Sequence, residues 1–240
     1  MTYRISATTL EAYRLFLTED WMDYDRLAAQ LSGEREETDA MRRGTSLHEI
    51  LEVPQADREA KFGYTGTKLV PQLELAPKEE DVGWGLTGEE EVPCYRHLGF
   101  VWDAASIDRI PASGGINEIK AELPITTGDG DAVLVARADK VLGLAVMDYK
   151  TTSNQFEAER YMQSVQWKIY CLAFSAHSFT YRVFEIKDGD VLTIKAAHAL
   201  TCRPYPGMAE EVQRLTGDFI GFCLRNGFHR AIGAQPKKEQ

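Results

Sequence analysis

ARADKVLGLAVMDYKTT, residues 136–152, places Asp139, Asp148 and Lys150 in a segment otherwise rich in Val, Leu, Ala and Met. Its two halves are close enough to pair through a tight turn at Gly143-Leu144, where glycine supplies the backbone angle that a type II′ turn needs at its first central position. In that register Asp139 and Asp148 lie opposite each other, with roughly 4.5 to 5.5 Å between Cβ atoms. The two-residue side-chain period puts Lys150 on the same face as Asp148 and Tyr149 on the other. Two carboxylates that close repel, and burying them uncompensated costs on the order of several kcal/mol, so a cation is expected between them. A hard divalent metal suits the place, since magnesium favours carboxylate oxygens and keeps positions open for water and phosphate. The alternative is a half-exposed sheet on which Lys150 is a surface salt-bridge partner. Val141, Leu144, Val146 and Met147 around the charges favour the buried pair.

Upstream, NEIKAELPI (117–125) reads as a strand and TTGDGD (126–131) as a turn, giving three strands in succession. Downstream, NQFEAERYMQSVQWKIYCLAFSAH (154–177) reads as one amphipathic helix that Asn154 caps, with Glu157 three positions on. FTYRVFEIK and DVLTIKAAHAL flank Asp188-Gly189, the signal for a two-residue hairpin. MAEEVQRLTGDFIGFCLRNG (208–227) predicts a closing helix with Arg225 in its last turn and Gly227 as its cap. Near the start, Leu10, Tyr13, Phe16 and Leu17 recur at helical spacing and predict a helix near 8–18, and EETDAMRRGTSLHEILEV (36–53) predicts a second. From about Lys61 to Gly99 the chain is rich in Gly, Pro and charge and shows no obvious core element, which suggests a long insertion or flap. Helices, three strands, a helix, two strands and a helix make a mixed α/β or α+β layer fold.

The 240 residues and 44% hydrophobic content suffice for one large domain. No apolar run approaches bilayer length and no signal-peptide core is present, so the expectation is a soluble, cytoplasmic protein with no membrane partner. Cys94, Cys171, Cys202 and Cys223 form no CxxC pair and support neither a zinc ribbon nor a disulfide framework. A net charge of −10 disfavours a uniformly basic nucleic-acid binder but leaves room for a local cleft.

Asp139 followed by Asp148-Tyr149-Lys150 resembles the signature of PD-(D/E)XK nucleases, and DYKTT resembles the RecB-like branch in particular. Further matches stand in that branch's order: SATTLEAY (6–13) for its SxxxLxxY helix, Gly44 and His48 in RGTSLH for GxxxH, and Gln166 and Tyr170 in QWKIY for QxxxY. The resemblance implies a restriction-endonuclease-like core, a central mixed β-sheet flanked by helices, over a single domain of residues 1–240 with an insertion at about 61–99. It implies a DNA nuclease using Mg2+ or Mn2+, ligated by His48, Asp139, Asp148 and the Tyr149 carbonyl, with Lys150, Gln166 and Tyr170 in the active site. Independently, Gly44 and His48 lie one helical turn apart, so a residue without a side chain stands beside the imidazole and permits close approach of a strand or metal.

Ala136 stands where the branch usually has glycine, a small change. The cysteines do not follow the iron–sulfur pattern of some relatives, so no cluster is expected, and without a GxxxxGK[ST] loop the chain reads as a stand-alone nuclease. Glu118 and Glu122 precede the hairpin four apart, hence on one face; Glu122 either supports a second metal or lines a solvated strand edge. Arg42, Arg43, Lys61 and Lys68 are candidate DNA contacts, with Tyr64 and Trp84 available for stacking. Exonuclease and endonuclease remain open, as do a binding-only descendant and an RNA substrate. By analogy, a recombination or repair partner and assembly into a homo-oligomer around DNA are expected.

Overall fold

In the computed structural model, residues 2–34, 36–73, 84–111 and 114–233 are described, with side chains described for all of these except 68–73 and 84–90. The three-strand meander forms as β5 (Ile116–Thr127), β6 (Gly130–Leu142) and β7 (Ala145–Thr152). Leu142 pairs with Ala145 across the two-residue turn. Gly143 has φ 57° while Leu144 has no positive φ, the pattern of a type II′ turn. Two parallel strands extend this sheet. β1 (Thr2–Ser6) pairs with the first half of β6, and β8 (Ser178–Lys187) pairs with β7. β9 (Thr193–Cys202) closes the far edge antiparallel to β8, so the order is β1-β6-β7-β8-β9 with β5 along the other side of β6.

Helices cover both faces. On one, α1 (Ala7–Thr18), α2 (Tyr24–Ser32), α7 (Gln166–Ala173) and α8 (Met208–Asn226) bury a core that includes Leu10, Leu134, Ile169, Phe179 and Phe219. On the other, α3 (Asp39–Glu52) packs Leu47 and Ile50 against Tyr149, Phe184 and Trp102. Each fully buried aliphatic side chain there stabilises the fold by roughly 1.5–3 kcal/mol. Alternation in β7 divides its residues between the cores, Val146 to the first and Met147 and Tyr149 to the second. The fold is thus a mixed α/β architecture with a central mixed sheet flanked by helices, as the sequence indicates.

Several expectations change. The stretch from Lys61, which shows no core element in sequence, follows α4 (Gln55–Phe62) and forms β2 (Gly63–Leu73) and β3 (Trp84–His97). With β4 (Phe100–Asp103), which runs into α5 (Ala104–Asp108), they make a three-stranded antiparallel sheet. Backbone pairing outweighs the Gly-rich, charged composition there. The Asp188-Gly189 hairpin is not two-residue, because Lys187 pairs with Thr193 and leaves five residues between. The extra length lets Leu192 accept from Asp103 N–H and donate to the Val101 carbonyl, each at 2.8 Å, which stitches the two sheets together. The single helix from Asn154 is instead α6 (Ala158–Met162) and α7, and Asn154 caps neither. Its N–H donates to Thr152 Oγ1 in a local turn, and α6 starts after Glu157 with no side-chain cap.

Candidate active site

β6 carries β5 along one edge, while its other edge pairs first with β1, over Asp131–Val135, and then with β7, over Lys140–Leu142. Between these segments the two neighbours diverge, and Asp139 stands at the divergence. The β6–β7 ladder ends at Lys140 and Met147, one pair short of the expected facing of Asp139 and Asp148. Instead Asp139 Oδ2 accepts the Tyr149 N–H at 2.6 Å, so a carboxylate takes the place of the next backbone acceptor. Charge–charge repulsion still couples the two aspartates.

The helix carrying Gly44 and His48 is capped by Thr38, whose side chain accepts from Met41 N–H. A Cβ at Gly44 would stand 3.3 Å from Thr151 Oγ1, so the glycine lets α3 lie directly on β7. One turn on, His48 Nδ1 lies 3.6 Å from Asp139 Oδ2, with its ring edge-on to Tyr149. Ser46 fixes the same helix from behind: its hydroxyl accepts from Trp102 Nε1 at 3.0 Å and donates to the His97 carbonyl at 3.1 Å.

On the opposite face of β7, Lys150 Nζ pairs with Asp148 Oδ2. Gln166 Nε2 reaches Asp148 Oδ1 at 3.5 Å, the long limit of a hydrogen bond, and donates to Tyr170 Oη at 3.2 Å. Tyr170 Oη in turn donates to the Arg137 carbonyl at 2.6 Å. Gln166 and Tyr170 therefore brace both strands, two residues before Asp139 and at Asp148. The Ser6, Leu10 and Tyr13 match has another place: Ser6 caps α1, and Leu10 and Tyr13 are core residues.

Electrostatically the site is short of positive charge near Asp139. Burial first, and the Asp148 carboxylate second, push its carboxyl up to about 7. Burial and the Lys150 ammonium push the His48 imidazole down to about 4, leaving it neutral and able to ligate at neutral pH. Burial alone would lower Lys150, but the Asp148 and Asp139 carboxylates reverse this and hold its pKa above the ordinary lysine value. Among the described residues no three His, Cys, Asp or Glu side chains stand together as a ready-made metal site. Magnesium rarely uses one, being held by one or two carboxylates together with waters and substrate phosphate. Asp139, Asp148, His48 and the Tyr149 carbonyl fit such a set, and the raised Asp139 pKa marks negative charge that a cation would relieve.

Other sequence candidates lie elsewhere or are engaged. Glu122 is exposed and ion-paired to Arg4 at 2.7 Å, whereas Glu118, in the left-handed region at φ 54°, pairs with Arg137, and its carboxylate contributes a little to the raised pKa of Asp139. The β5–β6 register keeps one offset on both sides of Glu118, so the two glutamates lie on the same sheet face, where Glu122 meets Arg4 and Glu118 meets Arg137. Of the two glutamates that the sequence pairs, it singles out Glu122, whereas Glu118 lines the cleft at Asp139; nothing in NEIKAELPI signals the left-handed angle there. Arg43 pairs with Asp188 and reaches Ser153, tying α3 to the β8–β9 connection. Arg42 donates to the Leu98 carbonyl and lies over Phe100. Tyr64 is covered by Arg96 at 3.6 Å. Lys61 borders the cleft beside His48 and Asp139. The side chains of Lys68 and Trp84 lie outside the described residues. The four cysteines are buried and form no disulfide, and burial pushes the Cys171 and Cys223 thiols up to about 12. No helix among the described residues is long and apolar enough to cross a membrane.

The family model of the PD-(D/E)XK nuclease superfamily matches residues 4–215, and the chain belongs to that superfamily. No curated protein matches significantly. Among solved structures, the chain is similar to SSO0001, at 19% identity and TM-score 0.36, over 45% of this chain and 50% of that one. It is also similar to Scheffersomyces stipitis Rai1, at 12% identity and TM-score 0.25, over 44% of this chain and 32% of that one. The chain thus spans half or less of the length of these structures, and similarity at this level carries no argument about activity.

Proposed function

We propose that this member of the PD-(D/E)XK nuclease superfamily is a metal-dependent deoxyribonuclease of the RecB-like branch, acting as an exonuclease in recombination or repair. The observation that supports it most is the convergence of Asp139, Asp148, Lys150 and His48 from two strands and one helix at the point where β6 and β7 part. His48, Asp139, Asp148 and the Tyr149 carbonyl would hold Mg2+ or Mn2+. A divalent ion there supplies Lewis acidity to the scissile phosphate and acidifies a water for attack.

The chain's own groups carry the rest. Lys150, kept as an ammonium by its carboxylate neighbours, is suited to stabilising charge on the phosphate oxygens and orienting the water, more than to abstracting a proton. Gln166 and Tyr170 hold Asp148 and the β6 backbone in place for that work. Residues 1–240 act as one nuclease unit with an insertion at about 61–99.

Cleavage of end-labelled linear and closed circular DNA, single- and double-stranded, with Mg2+, Mn2+ or EDTA, tests the reading. Metal-dependent loss of linear DNA alone establishes an exonuclease, and nicking of circles an endonuclease. Cleavage of ribo- but not deoxyribo-oligonucleotides would move the substrate to RNA. No cleavage with either metal would refute the activity of the chain alone.

A further inference from the structure

Lys150 also faces a second cavity, on the side of the sheet away from His48. It measures about 210 Å³ and is bounded by Glu11 and Arg14 of α1, Arg160 of α6, Ser164, Gln166 and Lys150 itself. The cleft at Asp139 measures about 660 Å³ and contains Glu49, Glu52, Glu118 and Asp139 against Lys61 and Arg137. The smaller cavity carries Arg14, Lys150 and Arg160; Glu11 pairs with the first and Asp148 with the second, which leaves Arg160 as its surplus cation among the described residues. In a chain of net charge −10, a local surplus of positive charge beside the candidate catalytic lysine calls for an anionic occupant.

Its cations are not equivalent. Arg14 is committed, since its Nε and Nη2 grip Glu11 at 3.1 and 2.7 Å, and Glu11 Oε2 accepts the Val165 N–H at 2.7 Å. That clamp fixes α1 onto the start of α7 and shapes the wall. Lys150 is paired with Asp148. Arg160 is exposed at the rim, and among the described residues no carboxylate pairs with it. Its neighbour Tyr161 is anchored by ring contacts with Phe156 and Tyr181, at 5.6 and 5.2 Å, which hold α6 beside the cavity. A free guanidinium offers a planar fork of donors that matches phosphate oxygens. At about 210 Å³ the space falls below the roughly 300–1,000 Å³ of pockets for drug-sized ligands, and suits one phosphate group more than a whole nucleotide.

We infer that this cavity is a phosphate subsite that receives a non-scissile phosphate of the substrate strand, with Arg160 as its ligand-facing cation. The inference rests on the nuclease reading for the identity of the strand, while the anion itself follows from the cavity. A terminal phosphate at a strand end and a phosphodiester next to the cleaved one present the same chemistry.

The test is binding in EDTA of internally labelled single-stranded oligonucleotides bearing a 5′-phosphate, a 3′-phosphate or only hydroxyl ends. Wild type, Arg160→Ala and Arg160→Lys are compared by fluorescence anisotropy across a salt series. Arg160→Ala is expected to weaken binding by about fivefold and to reduce the salt slope by about one, with partial recovery in Arg160→Lys. Loss confined to phosphate-ended strands assigns the strand end, and equal loss on all three assigns an internal phosphodiester. Unchanged affinity and salt slope in Arg160→Ala would overturn the subsite. Cleavage of the same oligonucleotides with Mg2+ separates the two claims. Binding through Arg160 without cleavage refutes the nuclease activity alone, and cleavage indifferent to Arg160 refutes the subsite alone.

Discussion

The two cavities that flank the Asp139, Asp148 and Lys150 cluster are built from the same sheet and opposite in charge. The His48 side gathers Glu49, Glu52, Glu118 and Asp139, and the α1 side gathers Arg14, Lys150 and Arg160. Strand geometry produces the contrast: β7 sends Tyr149 toward α3 and Asp148 and Lys150 toward α7, while Asp139 leaves its ladder where β6 and β7 part. A phosphodiester and a divalent cation need opposite partners within a few ångströms. A splayed sheet with differently charged sides offers both without burying a bare charge.

The largest expected effect breaks the cluster itself. Lys150→Ala and Asp148→Asn should each lower cleavage at least about a thousandfold while leaving far-UV circular dichroism and cooperative melting intact. Activity within tenfold of wild type in either variant would contradict the assignment.

The acidic side has a pH signature. A carboxyl raised to about 7 in the fold binds its proton more tightly there than in the unfolded chain. The stability it contributes is therefore present below the unfolded pKa and is lost as pH rises toward 7. A divalent cation competes with that proton, so the Mn2+-induced rise in melting temperature should grow from pH 5 to pH 8. His48, lowered to about 4, is neutral in the fold over that range and adds little to the metal's competition with protons. Its unfolded imidazole protonates below about 6.5, so stability falls from there toward pH 4. Asp139→Asn should flatten the dependence and melt no lower than wild type at pH 8 without metal; thermal scans at several pH values check both.

Contact between α3 and β7 gives a smaller effect. Gly44→Ala gains roughly 1 kcal/mol of helix propensity but pushes a methyl to 3.3 Å from Thr151 Oγ1. Stability should change little while activity drops about fivefold as His48 is displaced. The double variant Gly44→Ala/Thr151→Ala should recover most of it. Tyr170→Phe removes the donor to the Arg137 carbonyl, costing about 1 kcal/mol by denaturant unfolding and a few-fold in rate. Glu122→Ala, at the exposed pair with Arg4, should leave cleavage unchanged.

Local pattern made much of this legible. The tight turn at Gly143-Leu144, the side of Lys150 relative to Tyr149, and the close approach at Gly44 follow from the two-residue and one-turn periods of strand and helix. What the chain hides is non-local. β1 is five residues whose strand partner lies more than a hundred positions away. The connection after Lys187 is lengthened because Leu192 serves the second sheet, a demand that Asp188-Gly189 does not announce. α6 and α7 separate at Gln163–Val165, where Glu11 of a distant helix takes the Val165 N–H. Within the site, the sequence favours Glu122 over Glu118, because neither the cleft at Asp139 nor the left-handed angle at Glu118 is signalled in an ordinary-looking strand. Arg43, a candidate DNA contact in sequence, is engaged by Asp188, which lies 145 positions on.

The most direct test of this division of charge is calorimetric titration of Mn2+ into wild type, Asp139→Asn and Arg160→Ala at pH 7.5. We expect Asp139→Asn to weaken binding at least tenfold and Arg160→Ala to bind as wild type does. Equal affinity in wild type and Asp139→Asn would place the cation elsewhere and contradict the account.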